Sequence, residues 1–146
     1  MSVRLLGLLL LVSIAGCNGP LPFMSGGRLD GEVQPVPPKW ALDEDFGVVQ
    51  LETRPEDPYS VNIAYTLLGG RLYINAGDTE TEWVKNMNAN PLVRLRDAGQ
   101  IYELRAERVT DAAEISEFGK AWTSHSMIHR DPADLEEVWI YRLFAR

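Results

Sequence analysis

Tyr59, Val61, Ile63, Tyr65 and Leu67 alternate with Ser60, Asn62, Ala64 and Thr66. A period of two puts the larger apolar set on one face, which predicts a half-buried strand over 59–68. Gly69-Gly70 offers the positive φ angles of a tight hairpin, and Arg71 to Ala76 returns as the partner strand. Upstream, Val48 to Thr53 is a shorter β-prone run. It is ended by Arg54-Pro55-Glu56-Asp57-Pro58, whose two prolines remove backbone donors. Downstream, Gly77 to Thr81 is a polar bend in which Asp78 or Thr79 is suited to cap a short helix through Asn88. Trp83, Val84 and Met87 form its apolar stripe, and Asn88, Asn90 and Pro91 end it.

Leu92 to Arg96 alternates again, with Leu92, Arg94 and Arg96 on one face and Val93 and Leu95 on the other. Asp97-Ala98-Gly99 turns the chain into a strand over Gln100 to Thr110, whose apolar members include Ile101, Leu104 and Val109. A second helix is expected from Asp111 to about His125. Asp111 serves as N-cap with Glu114 three residues on, and Ile115, Phe118 and Trp122 form the stripe. Val138 to Phe144 reads as a final strand. The order is strand, hairpin, short helix, hairpin, helix, strand, without a parallel β-α-β rhythm. It predicts an α+β fold: a mainly antiparallel small barrel with two helices at its ends.

The N-terminus has a different pattern. Arg4 is the only charge in a short leading segment, and Leu5 to Ile14 is apolar except for Gly7 and Ser13. That run is about ten residues, whereas a spanning helix needs about twenty, so it reads as an export signal over residues 1–16. Ile14-Ala15-Gly16-Cys17 follows and resembles the lipobox of bacterial lipoproteins. The resemblance implies that the Cys17 thiol is acylated, that cleavage leaves Cys17 first, and that the protein is held to membrane lipid in the cell envelope. Asn18 rather than aspartate follows the cysteine, which in a Gram-negative host points to the outer membrane. Residues 17–39 are rich in Gly and Pro, and read as a tether between bilayer and domain, or as an arm packed on the domain. Gly26-Gly27-Arg28-Leu29-Asp30-Gly31 is unusually specific for a spacer. The folded domain is expected over residues 40–146.

Composition narrows the function classes. A chain of 146 residues is one domain by length, and its net charge is −7. Removing Arg4 with the signal subtracts one positive charge and leaves −8. Such a domain repels phosphate backbones, so nucleic acid is not an expected partner. The single cysteine excludes an internal disulfide.

Three stretches carry a family resemblance. They are Pro58-Tyr59-Ser60-Val61-Asn62-Ile63-Ala64-Tyr65, Gly70-Arg71-Leu72-Tyr73-Ile74, and Lys85-Asn86-Met87-x-x-Asn90-Pro91-x-Val93-x-Leu95. Together they resemble the pyridoxamine 5′-phosphate oxidase-like proteins, over roughly Val48 to Arg146. The resemblance implies a split β-barrel that binds flavin mononucleotide (FMN) or a deazaflavin. It also implies a homodimer with the flavin between subunits, and redox chemistry on a small-molecule substrate. By position, Thr79, Thr81 and Lys85 would hold the phosphate, Asn62 and Asn75 would meet the isoalloxazine edge, and residues from Gln100 to Arg105 would complete the site across the dimer. In this chain, however, Asp78, Glu80 and Glu82 interleave with the phosphate candidates, and carboxylates repel phosphate. Two functions therefore stay open: a flavin-type redox protein, and a non-catalytic envelope binding or structural lipoprotein that has lost the flavin site.

Other candidates are weaker. His125 and His129, with Asp131 nearby, have the i, i+4 spacing of a metal or haem pair, but also suit the C-terminal end of a helix dipole. Arg94, Arg96, Arg105 and Arg108 could receive an anion, or could be exposed sheet positions balanced by Glu103 and Glu107. No serine has the context of a hydrolase nucleophile.

Overall fold

The structure is a computed structural model, and it describes residues 18–125 and 138–146. Its elements are β1 (Glu32–Gln34), β2 (Phe46–Thr53), β3 (Tyr59–Leu68), β4 (Arg71–Ala76), α1 (Glu82–Ala89), β5 (Leu92–Asp97), β6 (Gln100–Arg108), α2 (Ala112–His125) and β7 (Trp139–Ala145). Strands pair antiparallel in the order β6-β5-β2-β3-β4-β7, and β7 returns to β6, so six strands close a barrel. The α+β class and the antiparallel barrel with two helices are as the sequence predicts.

The interior follows from the alternation. Val49, Leu51, Ile63, Leu72, Ile74, Val93, Leu95 and Leu104 point inward and are buried together. Both two-residue turns rest on positive φ. Gly69 and Gly70 stand at 58° and 79°, and Ala98 and Gly99 at 45° and 80°. Helix α1 closes the core with Val84 and Met87, while Asn86 donates from Nδ2 to Thr53 Oγ1 at 3.1 Å. Its N-cap is Thr81 rather than Asp78 or Thr79. The Asp78 carboxylate instead accepts from the Glu80 N–H at 2.9 Å, a local turn that uses it before the helix begins. Helix α2 starts as expected, with the Glu114 N–H donating to Asp111 Oδ1 at 2.8 Å. It lies on the outer face of the barrel, where Phe118 packs with Tyr73 and Ile140 in a second, smaller core.

The Gly/Pro-rich segment packs on the barrel from residue 18 onward. Gly26 exchanges backbone hydrogen bonds with Ser60 at 2.8 and 2.9 Å, and Leu29 is fully buried. β1 pairs parallel with the first residues of β6, Glu32 opposite Gln100 through Gln34 opposite Tyr102. It takes the edge of β6 that β7 leaves free, because β7 pairs only from Leu104 onward. Trp40 then enters the main core, edge-on to Tyr102 with ring centroids 4.9 Å apart.

Candidate functional site

The outward-facing residues of β2 and β3 pair in rows: Glu52 with Ser60, Gln50 with Asn62, Val48 with Ala64, and Phe46 with Thr66. β5 extends the first two rows with Arg94 and Arg96. This face is therefore polar at one end and apolar at the other. The N-terminal arm covers the polar end, and α2 flanks the apolar end. Between the apolar rows and α2 runs a groove of about 270 Å³.

Val48, Ala64 and Phe46 line the groove, Trp122 and Ala121 come from α2, and Asn75 and Thr66 supply polar atoms. Ala64 matters by being small, since a larger side chain opposite Val48 would fill the space. Among the described residues no charged side chain lines the groove. Tyr65, between Ala64 and Thr66, turns its side chain into the barrel core, where the phenol donates to the Glu44 carbonyl at 3.1 Å. Burial pushes that phenol up, and the nearby carboxylates of Asp97, Glu44, Asp43 and Asp45 push it further, so it stays protonated at neutral pH. The groove can accept a planar, mostly apolar ring against Trp122 and Phe46, with the Asn75 amide as both donor and acceptor for a ring edge.

The residues singled out from the sequence fall into three places. Asn75 lines the groove. Asn62 lies in the adjacent polar row, where its Nδ2 donates to the Leu21 carbonyl at 3.0 Å and its Oδ1 accepts from Gln50 at 3.3 Å. Thr79, Thr81 and Lys85 sit around the N-terminal turn of α1. There the Thr81 hydroxyl donates to the Asp78 carbonyl at 3.2 Å, and Lys85 Nζ lies 3.4 Å from Glu80. Glu82 is paired with Arg54 at 3.2 Å. This turn does not suit a phosphate: the Lys85 ammonium and the Thr81 hydroxyl have partners, and the carboxylates of Asp78, Glu80 and Glu82 fall within residues 77–82.

The arginines are also engaged. Arg94 is largely buried and pairs with Glu52 rather than with Glu103. Arg96 donates to Gln50 Oε1 at 2.5 Å and to the Asp30 carbonyl at 3.0 Å. Arg105 pairs with Glu107 at 2.5 Å, and Arg108 lies 3.8 Å over the Trp139 ring. His129 and Asp131 lie outside the described residues, as does the side chain of His125. Phe46, Val48, Ala64 and Thr66 were missed as site residues. The signal for them was faint: one small outward residue, Ala64, in a strand otherwise made of larger ones.

No protein-family model matches the chain, and no curated protein matches it in sequence. Solved structures match in fold. An F420-H2 dependent reductase is 16% identical with a TM-score of 0.53, covering 72% of this chain and 98% of that one. A candidate pyridoxamine 5′-phosphate oxidase from Listeria innocua is 14% identical with a TM-score of 0.51, covering 66% and 82%. A domain-swapped dimer is 16% identical with a TM-score of 0.54, covering 70% and 82%. At these identities the likeness defines the fold: the barrel is a split β-barrel of the pyridoxamine 5′-phosphate oxidase-like kind.

Proposed function

We propose that this protein is an envelope lipoprotein, anchored by acyl chains on Cys17, whose split barrel binds a flavin-type ring (FMN or a deazaflavin) and works as a homodimer. The groove carries the reading. It offers a flat apolar floor, an aromatic wall at Trp122 and one amide at Asn75, which is what an isoalloxazine-sized ring requires. The fold neighbours, an F420-H2 dependent reductase and a candidate pyridoxamine 5′-phosphate oxidase, support the same ligand class. The export signal and lipobox in the sequence support the anchor. Among the described residues no helix is long and apolar enough to cross a membrane.

The fit is one-sided. The groove suits the ring, whereas the turn before α1 does not suit the phosphate. When bound, such a cofactor supplies the redox chemistry for a small-molecule substrate. Trp122, Phe46 and Asn75 would hold and orient the ring, the aromatic side chains by apolar contact and the amide by hydrogen bonding. Recognition through the ring alone predicts that riboflavin and FMN bind about equally.

Fluorescence titration of the mature chain with both flavins tests this. Binding near about 1 μM, with riboflavin within about threefold of FMN, is the expected result. A clear preference for FMN that disappears in Lys85→Ala would move the phosphate back to α1. No binding of FMN, riboflavin or deazaflavin at about 1 mM would leave the second reading, a non-catalytic envelope module, which the Lys85–Glu80 pair favours.

A further inference from the structure

Leu21, Phe23 and Met24 are 55%, 105% and 65% exposed, and all three sit on one tight turn closed by the Met24 N–H to the Leu21 carbonyl at 3.1 Å. Single exposed apolar residues are ordinary on a protein surface, but three within four positions of one turn are not. Phe23 has φ of 70°, a backbone region unfavourable for a bulky side chain, and its ring projects fully into solvent. The turn begins four residues after Cys17 and is docked. Pro20 is buried, the Gly27 N–H donates to the Asn18 carbonyl at 2.7 Å, and Asn62 Nδ2 donates to the Leu21 carbonyl. No flexible spacer separates Asn18 from the barrel.

We infer that the turn Leu21–Met24 is a second membrane contact, inserted into the bilayer interface beside the acylated Cys17. The inference rests on the lipoprotein reading. An acyl group on Cys17 lies within one residue of a docked segment, so the bilayer surface must come against the barrel at this turn. Residues 18–27 carry no charge, so the contact is apolar and insensitive to salt. Its depth is that of an interfacial side chain, about 5–10 Å into the headgroup and acyl boundary. The groove is close to this contact: Val48 and Ala64 stand two residues along the same face from Gln50 and Asn62, roughly 7 Å away. A ligand in the groove would enter next to the bilayer.

The test uses the full-length chain, expressed with its signal in a bacterial host and reconstituted in phosphatidylcholine vesicles. Cys17 is the only cysteine, so Phe23→Cys gives one free thiol in the acylated protein, which is labelled with bimane. Ser116→Cys, exposed on α2, is the control position. Quenching by acyl-chain nitroxide lipids to about half intensity or less at position 23, little changed by salt and absent at 116, is expected. Acylation of Cys17 by mass spectrometry with position 23 quenched only by aqueous iodide would overturn the contact and leave the lipoprotein reading intact. An unacylated Cys17 would overturn both.

Discussion

Arg94 holds its guanidinium 2.9 Å from the Glu52 carboxylate, and that carboxylate is 2% exposed. Glu52 also accepts the Leu29 N–H at 2.6 Å, and Arg94 donates to the Leu29 carbonyl at 3.2 Å. The pair thus fastens the N-terminal arm to β2 and β5 at the point where Leu29 is fully buried. Among the described residues, Arg94→Met would leave the buried Glu52 carboxylate with Arg28, 3.8 Å away and half exposed, as its one cation. Breaking a buried pair from one side costs about 3–5 kcal/mol. Arg28 offsets part of this, so urea denaturation should show a loss of about 3 kcal/mol. Glu52→Leu combined with Arg94→Met should lose less than the sum of the single changes, because neither charge is then stranded. A loss under about 0.5 kcal/mol in Arg94→Met would show that the pair does not hold the arm.

The alkaline limb of stability should depend on Tyr73. Its hydroxyl donates to Glu114 at 2.5 Å beneath α2. Burial pushes its pKa well above the ordinary tyrosine range, and the Glu114 hydrogen bond and charge push it further. Burial also raises Tyr141, and burial with nearby carboxylates raises Tyr65. Folding therefore retains protons that the unfolded chain releases near pH 10. The stability these phenols contribute is complete below about pH 10 and falls as pH rises beyond it. Tyr73→Phe should cost about 1 kcal/mol at pH 7 and make the decline above pH 10 shallower, as followed by thermal melts from pH 7 to 11. An unchanged alkaline slope would count against the Tyr73–Glu114 bond.

Gly26 has a specific packing role. A Cβ there would stand 2.5 Å from the Asn18 carbonyl, Gly19 C and Pro20 N, all backbone atoms that cannot turn aside. Gly26→Ala should therefore undock residues 18–24 while leaving the barrel closed. The expected signature is faster hydrogen exchange and proteolysis in residues 18–27, with melting of the barrel lowered only slightly. Exchange as slow as in the parent protein would contradict the close contact. Gly31 is constrained in the same way against the Gly99 carbonyl, also at 2.5 Å.

Those two glycines show where the sequence stopped being legible. The β3–β4 hairpin could be read because its information is local: five alternating apolar residues and Gly69-Gly70. The capping of α2 by Asp111 was equally local. The Gly26–Gly31 segment looked unusually specific without a visible cause, because its partners, Asn18 and Gly99, are brought to it only by the fold. β1 was hidden for the same reason, since its three residues pair with β6 across 68 positions of sequence. The cap of α1 shifted to Thr81 because Asp78 is taken by a neighbouring N–H, a competition that residue type alone does not settle. Of the five cofactor candidates only Asn75 lines the groove, because the groove exists only once α2 lies over β2 to β4.

Ala64 offers the cleanest test of that groove. It is exposed and opposite Val48, so Ala64→Trp adds a large side chain without disturbing the core. Surface changes of this kind alter stability by about 0.5 kcal/mol or less, and an aromatic residue suits an exposed strand position. The indole would occupy much of the 270 Å³ into which Trp122 and Asn75 face. Flavin affinity should fall by about tenfold or more, a loss of about 1.4 kcal/mol, with the melting temperature nearly unchanged. Trp122→Ala should also weaken binding, but by removing a stacking surface rather than by filling space. Asn75→Ala should weaken ring recognition without changing the ratio of FMN to riboflavin affinity. If Ala64→Trp bound flavin as tightly as the parent chain while Lys85→Ala did not, the ligand would belong at α1 and the groove would need another occupant.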